Sequence, residues 1–188
     1  IADRGTRTSA SKHDVKDGLK QAGTMKNWII SAIMAWLVLG TTADAQNRGS
    51  VTNLPLPRFV SIKANEANVR RGPSLTHRID WVFKRNDMPV VITAEHGHWR
   101  RIEDRDGVGG WVHYSLLSGA RTVIVEHDML QLYVRPDAAT AVTAQLELGV
   151  IARLGACEPD WCRLSAGGYR GWAPKADIWG VDADELRD

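Results

Sequence analysis

The chain is poor in the residues that usually announce chemistry. Of its 188 residues only two are cysteines, Cys157 and Cys162. A Cys-x4-Cys pair without a second pair or a neighbouring histidine makes a poor zinc site, and it lacks the Cys-x-x-Cys spacing of a redox-active dithiol. Long apolar runs are missing as well. The most extended, Trp28–Leu39, is twelve residues, short of the roughly twenty that a membrane-spanning helix needs. Nor is there a surplus of one charge. The chain has 24 Lys and Arg against 22 Asp and Glu; residues 1–45 hold six and four of these, leaving 18 and 18. The basic isoelectric point near 8.7 therefore belongs to the N-terminal segment, and a nucleic-acid partner held through a basic surface is not expected.

Catalytic constellations are equally scarce. The histidines are His13, His77, His96, His98, His113 and His127. With Glu95 and Glu103 nearby, His96-Gly97-His98 is the pairing best suited to zinc or copper, because alternate residues of a strand share a face. Its place at a hairpin tip makes a solvated turn the simpler reading. Asp104/Asp106 and Asp182/Asp184 fall in turn and tail contexts, where solvated charge is ordinary. Gly107-Val108-Gly109-Gly110 lacks the strand-to-helix setting of a phosphate-binding loop. Nowhere do a nucleophile, a base and an orienting group stand at a workable spacing. The expectation is a protein that is not an enzyme, with no catalytic residue, metal or cofactor.

One part of the sequence speaks about compartment. Met25-Lys26-Asn27, the apolar stretch to Leu39 and the exit Ala43-Asp44-Ala45 have the layout of a secretory signal peptide over residues 25–45. This predicts cleavage after Ala45, a periplasmic or secreted mature chain, and no stable membrane insertion of that chain. Gln46, not Cys, follows the cut, which speaks against a lipid anchor. Residues 1–24 are polar and patternless, and read as an over-long start or a disordered extension. In an oxidising compartment Cys157 and Cys162, on either side of a Pro159-Asp160 turn, are expected to form a disulfide that pins one hairpin.

What the chain does have is tryptophan in register. Trp99-Arg100-Arg101-Ile102 is matched by Trp161-Cys162-Arg163-Leu164, and Gly110-Trp111-Val112 by Gly171-Trp172-Ala173. Upstream, Ala67-Asn68-Val69-Arg70-Arg71-Gly72-Pro73 is matched by Gln131-Leu132-Tyr133-Val134-Arg135-Pro136-Asp137. Self-similarity at a period of about 61 to 65 residues means one small fold occurring twice. Short alternating segments, among them Phe59–Ile62, Pro89–Thr93, Arg121–Val125 and Gly149–Arg153, are punctuated by glycine-rich turns such as Asp106–Gly109 and Ala166–Tyr169. The segments between them are too short for crossover helices. An all-β chain of two tandem small barrels follows, over residues 58–119 and 120–181, with a flexible linker at 46–57 and an acidic tail at 182–188. The two repeats differ in charge: residues 58–119 carry ten basic and seven acidic groups, and residues 120–188 seven and eleven.

The segments Ala67-Asn-Val-Arg-Arg-Gly-Pro-Ser74, His98-Trp-Arg-Arg-Ile102 and Gly109-Gly-Trp-Val-His-Tyr-Ser-Leu-Leu-Ser118 resemble the bacterial SH3-like (SH3b) domain. Residues 120–181 resemble a second, diverged copy, in which Leu132–Pro136 lacks the Gly-Pro-Ser and Trp-Ala-Pro replaces Trp-Val-His. The resemblance implies a compact barrel of about five to seven strands after the signal peptide. It also implies a role in contacting cell-wall peptide (peptidoglycan) or protein partners of the envelope.

The abundant aromatics divide between core and surface, and in barrels this small most are expected inside. Trp99 and Trp111 open or end edge-like strands, and His113-Tyr114 follows Trp111 directly. An aromatic cluster of these residues, flanked by Asn68, Arg70 and Glu95, would suit a peptide, with stacking for affinity and polar groups for orientation. The candidate binding residues are Asn68, Arg70, Trp99, Trp111, His113 and Tyr114. The competing expectations are a scaffolding subunit of an envelope complex and, more remotely, a metal or redox protein using His96/His98 or Cys157/Cys162.

Overall fold

The computed structural model describes residues 47–188. The expected signal segment, its cleavage site after Ala45 and the extension at 1–24 lie outside the described residues. From Arg58 onward the chain forms two copies of one topology. The first copy has β1 (Arg58–Ile62), β2 (Ala67–Arg70), β3 (Ile79–Phe83), β4 (Pro89–His96), β5 (Trp99–Glu103), β6 (Gly109–His113) and β7 (Leu117–Ser118). The second has β8 (Thr122–Val125), β9 (Leu130–Tyr133), β10 (Val142–Leu146), β11 (Ile151–Cys157), β12 (Trp161–Ala166), β13 (Tyr169–Pro174) and β14 (Ile178–Trp179). Each is a seven-stranded antiparallel sheet, ordered β3-β2-β6-β5-β4-β1-β7 and β10-β9-β13-β12-β11-β8-β14. A single 3-10 turn precedes each last strand, at Tyr114–Leu116 and Lys175–Asp177.

Alternation along the strands explains the curl. On β5 the inward residues are Arg100 and Ile102, and on β6 the inward residue is Val112. Ile62, Val69, Phe83, Val90, Ile92, Ile102 and Val112, drawn from six strands, meet in one buried cluster. The second sheet closes on Val123, Leu132, Leu154, Leu164, Ala173 and their neighbours. Both cores are aliphatic. Against the expectation that most aromatics fill the barrels, Phe83 is the sole aromatic buried among the described residues. Trp99 and Trp111 share strands with the core residues but have the opposite parity, so they stand on the outer face.

Glycine beside tryptophan has a packing reason. Gly110 has φ +152°, and a Cβ there would meet the Arg70 carbonyl oxygen at 2.7 Å. At Gly171 a Cβ would lie 2.8 Å from the Leu132 Cβ. Only glycine lets β6 approach β2, and β13 approach β9, closely enough to close each sheet.

The segment expected as a flexible linker is instead folded against the first sheet. Gly49 donates to the Leu54 carbonyl at 2.8 Å and Leu56 to that of Asn47 at 2.7 Å. The resulting turn is anchored on Glu95. The acidic tail is docked likewise, by an antiparallel bridge: the Cys157 amide donates to the Arg187 carbonyl at 2.7 Å, and the Arg187 amide returns a bond at 3.1 Å. Between the barrels, Phe59 meets Trp179 edge to face at 5.2 Å, and the Arg121 guanidinium lies 5.5 Å from the Phe59 ring centre. The Thr122 hydroxyl donates to the Asp87 carbonyl at 2.7 Å.

Candidate ligand-binding site

Cross-strand register gathers most of the expected residues on the outer face of the first barrel. His96 on β4 pairs with Trp99 on β5, and Trp99 pairs with His113 on β6. One row therefore reads His96–Trp99–His113. In the next row, Ala94 pairs with Arg101, Arg101 with Trp111, and Trp111 with Arg70 on β2. The β4–β5 hairpin turns through Gly97, whose φ of +51° suits a glycine. Its tip is tied to the following turn by the Tyr114 amide, which donates to the His98 carbonyl at 2.9 Å.

The rings then cluster. His113 meets Tyr114 at 4.9 Å, Trp99 edge to face at 5.7 Å and His98 at 5.9 Å. His98 also lies 5.7 Å from Tyr114, while His96 turns to Trp111 at 6.5 Å. Tyr114 is half exposed, and Trp99, Trp111 and His113 are partly so. The His113 Nδ1 accepts from the Ser115 amide at 3.4 Å and caps the 3-10 turn. The same Nδ1 lies 2.7 Å from the Ser115 hydroxyl, so Nδ1 is engaged and Nε2 faces away from this turn. Among the described residues no group of three or more His, Cys, Asp or Glu is placed to hold a metal ion.

The polar residues expected to flank the cluster behave differently from one another. Asn68 is exposed on β2, on the same face as Arg70. Arg70 is committed to structure: its guanidinium donates to the carbonyls of Leu75 at 3.0 Å and His77 at 2.7 Å, holding the loop before β3. Glu95 is not a ligand-facing group at all. Its side chain is fully buried and accepts from the Val51 amide at 3.0 Å, the Thr52 amide at 2.8 Å, the Thr52 hydroxyl at 2.7 Å and Arg58 at 2.7 Å. Burial alone would raise its pKa. The bonds from Thr52, Arg58 and Val51 outweigh that and lower it from 4.5 to about 2.

Two features had no signal in the linear pattern. Arg100 is buried, 3.4 Å from Glu95 through Nε, and its guanidinium sits 6.0 Å from the Tyr114 ring centre. It thus links the docked N-terminal segment to the exposed cluster. Beside Tyr114 runs a groove of about 350 Å³ between that segment and β1, lined by Leu54, Phe59, Ile92, Tyr114 and Leu117 among others. The signal for it lay in sequence-distant pairing, 43 residues from Thr52 to Glu95, which periodicity does not report.

The second barrel keeps part of this face. Tyr133 meets Trp161 edge to face at 5.6 Å, and Trp172 pairs with Arg163 and Tyr133. Pro174 stands where His113 stands in the first copy, since it pairs with Trp161. The cross-strand pair Glu95/Arg100 becomes Cys157/Cys162, joined by a disulfide.

A duplicated small antiparallel barrel with rings displayed on its outer sheet defines a tandem SH3-like module. The family model described as "Bacterial SH3 domain" matches residues 63–119 and 126–180, and the chain belongs to that family. Bacterial SH3 domains are generally binding modules, often connected with the cell wall. Among solved structures, NlpC2 from Trichomonas vaginalis is 13% identical with a TM-score of 0.31, covering 67% of this chain and 50% of that one. NlpC1 from the same organism is 12% identical with a TM-score of 0.31, covering 76% and 49%. The chain thus spans about half the length of these structures. No curated protein sequence matches it.

Proposed function

We propose that the chain is an exported, non-enzymatic binding module whose first barrel takes an extended peptide. The ligand is a peptide stem of peptidoglycan or, as the alternative, a segment of an envelope protein. The observation that carries this reading is the continuity of the His96–Trp99–His113–Tyr114 face with the apolar groove along Leu54 and Phe59. Exposed rings beside a groove supply stacking area at low conformational cost. The His113 Nε2 and the Asn68 amide supply orientation. The roles differ by residue: Trp99, Trp111, His113 and Tyr114 contact ligand, Asn68 borders it, and Arg70 holds the neighbouring loop. Periplasmic or secreted location follows from the signal layout at 25–45.

The test is co-sedimentation of the full chain with purified sacculi at low and high salt. Retention at both salts, reduced about tenfold or more by Trp99→Ala or Tyr114→Ala with the circular dichroism spectrum unchanged, is the expected result; truncating a central aromatic typically costs about 2 kcal/mol or more. Absence of retention sinks the wall-peptide reading. Stoichiometric cross-linking of the same face to one envelope protein would then establish the alternative.

A further inference from the structure

The sharpest change of charge between the outer faces of the two barrels falls in one cross-strand row. In the first barrel the row is Val91–Glu103–Gly109. Its counterpart in the second is Arg153–Ser165–Arg170. The change replaces one negative charge with two positive ones around a hydroxyl. In the adjacent row Arg163 pairs with Trp172, which pairs with Tyr133. Arg153, Arg163 and Arg170 are all exposed. None of the three is ion-paired or hydrogen-bonded through its side chain to another described residue. By contrast Arg121 is held by Glu185 at 2.8 Å, and the Lys175 Nζ by the carbonyls of Ala183 and Glu185.

These arginines line two adjoining hollows. One section, of about 410 Å³, is lined by Arg153, Ser165, Arg170, Thr122, Tyr169 and Asp87, among others. A second, of about 400 Å³, shares Arg153, Ser165 and Arg170 and adds Arg163 and Asp188. Residues 120–188 hold seven basic and eleven acidic groups. Three arginines against two lining carboxylates, Asp87 and Asp188, leave this face net positive on an otherwise acidic barrel.

We infer that this face is a second binding site, for an acidic peptide in extended conformation whose alternate side chains are carboxylates. Arginine suits carboxylate because its planar fork donates two parallel bonds. The mixed chemistry of the rows favours a peptide over a phosphate polymer. Arg163 and Ser165 are two residues apart on β12, a pitch of about 6.4–6.8 Å, which an extended ligand shares for its alternate side chains. The rows are also unlike one another, one of arginine and serine, the next of arginine and two rings. A chain of alternating carboxylates has apolar side chains to offer the rings, whereas a phosphate polymer needs only uniform positive charge. The site stands apart from the first-barrel face and does not depend on it.

The test is fluorescence anisotropy of the full chain against a labelled hexapeptide of alternating glutamate and valine, its glutamine counterpart, and inorganic polyphosphate as competitor. The glutamate peptide is expected to bind and the glutamine peptide not to bind. Arg153→Gln and Arg170→Gln each weaken binding about three- to tenfold, and the pair of substitutions more. Arg78→Gln, at an exposed arginine of the first barrel, and Trp99→Ala leave binding unchanged. The inference is overturned by an absence of glutamate-peptide binding, or by an equal loss in Arg78→Gln, which would mean unspecific charge attraction. Polyphosphate binding more than tenfold tighter than the peptide would overturn it in favour of a phosphate polymer.

Discussion

Two backbone amides, a hydroxyl and a guanidinium converge on the Glu95 carboxylate, so this buried charge remains ionised far into acid. Because its folded pKa is depressed to about 2 from 4.5, it contributes stability that is present above about pH 4.5. That contribution is lost as pH falls towards 2, where the folded state too becomes protonated. By pH 3 the loss from this group is about 2 kcal/mol. Denaturant unfolding at pH 6 and pH 3 checks it: the wild-type midpoint falls, while Glu95→Gln starts lower by about 2–4 kcal/mol and loses less on acidification. Equal acid sensitivity in both proteins would show that the carboxylate is not the titrating anchor. Gly49 lies so close to the same carboxylate that a Cβ would collide with it. Gly49→Ala is therefore expected to release the N-terminal turn without altering charge, read as faster amide exchange at Val51 and Thr52.

At the scale of elements, both barrels use the same corner to hold a flanking segment. Glu95 and Arg100 grip the N-terminal turn in the first, and Cys157, paired across the hairpin with Cys162, carries the tail at Arg187 in the second. Breaking the disulfide with Cys157→Ser and Cys162→Ser together is expected to cost about 2 kcal/mol, because the closed loop is short. The loss of hydrogen-exchange protection should concentrate at Arg187 and Cys157. Uniform loss over β8–β14 would mean that the bridge supports the whole core and not this corner. The hairpins at this corner were legible in the sequence because Trp99, Arg101 and Ile102 alternate and glycines mark their turns. β3 and β10 were not, since Ile79, Asp80 and Trp81 are all exposed and β3 buries only Phe83 fully. Such a strand exists through its pairing with β2, not through a pattern of its own. The same parity that makes Trp99 and Trp111 conspicuous in sequence places them outside the core, so their spacing revealed the fold before their position revealed the site.

Across the whole molecule, the two repeats are joined by little chain and by a compact interface. Residues 119–121 separate β7 from β8, and the described residues fall within one compact unit. Phe59 stands at the centre of this junction, against Trp179 at 5.2 Å and under Arg121 at 5.5 Å. It also lines the groove beside Tyr114, so coupling of the barrels and the shape of the first-barrel site share a side chain. Small modules with limited cores gain most from such mutual burial. The wild-type chain is accordingly expected to melt in one calorimetric transition, with calorimetric and van't Hoff enthalpies in agreement. Trp179→Ala removes the edge-to-face contact from the far side without touching the groove lining, at a cost of about 1–2 kcal/mol. It should split the melt into two transitions while sacculus retention stays within twofold. Phe59→Ala should split the melt and also weaken retention. If the wild type already melts in two steps, the barrels are energetically independent, and the groove must then be held by the Glu95-anchored turn alone.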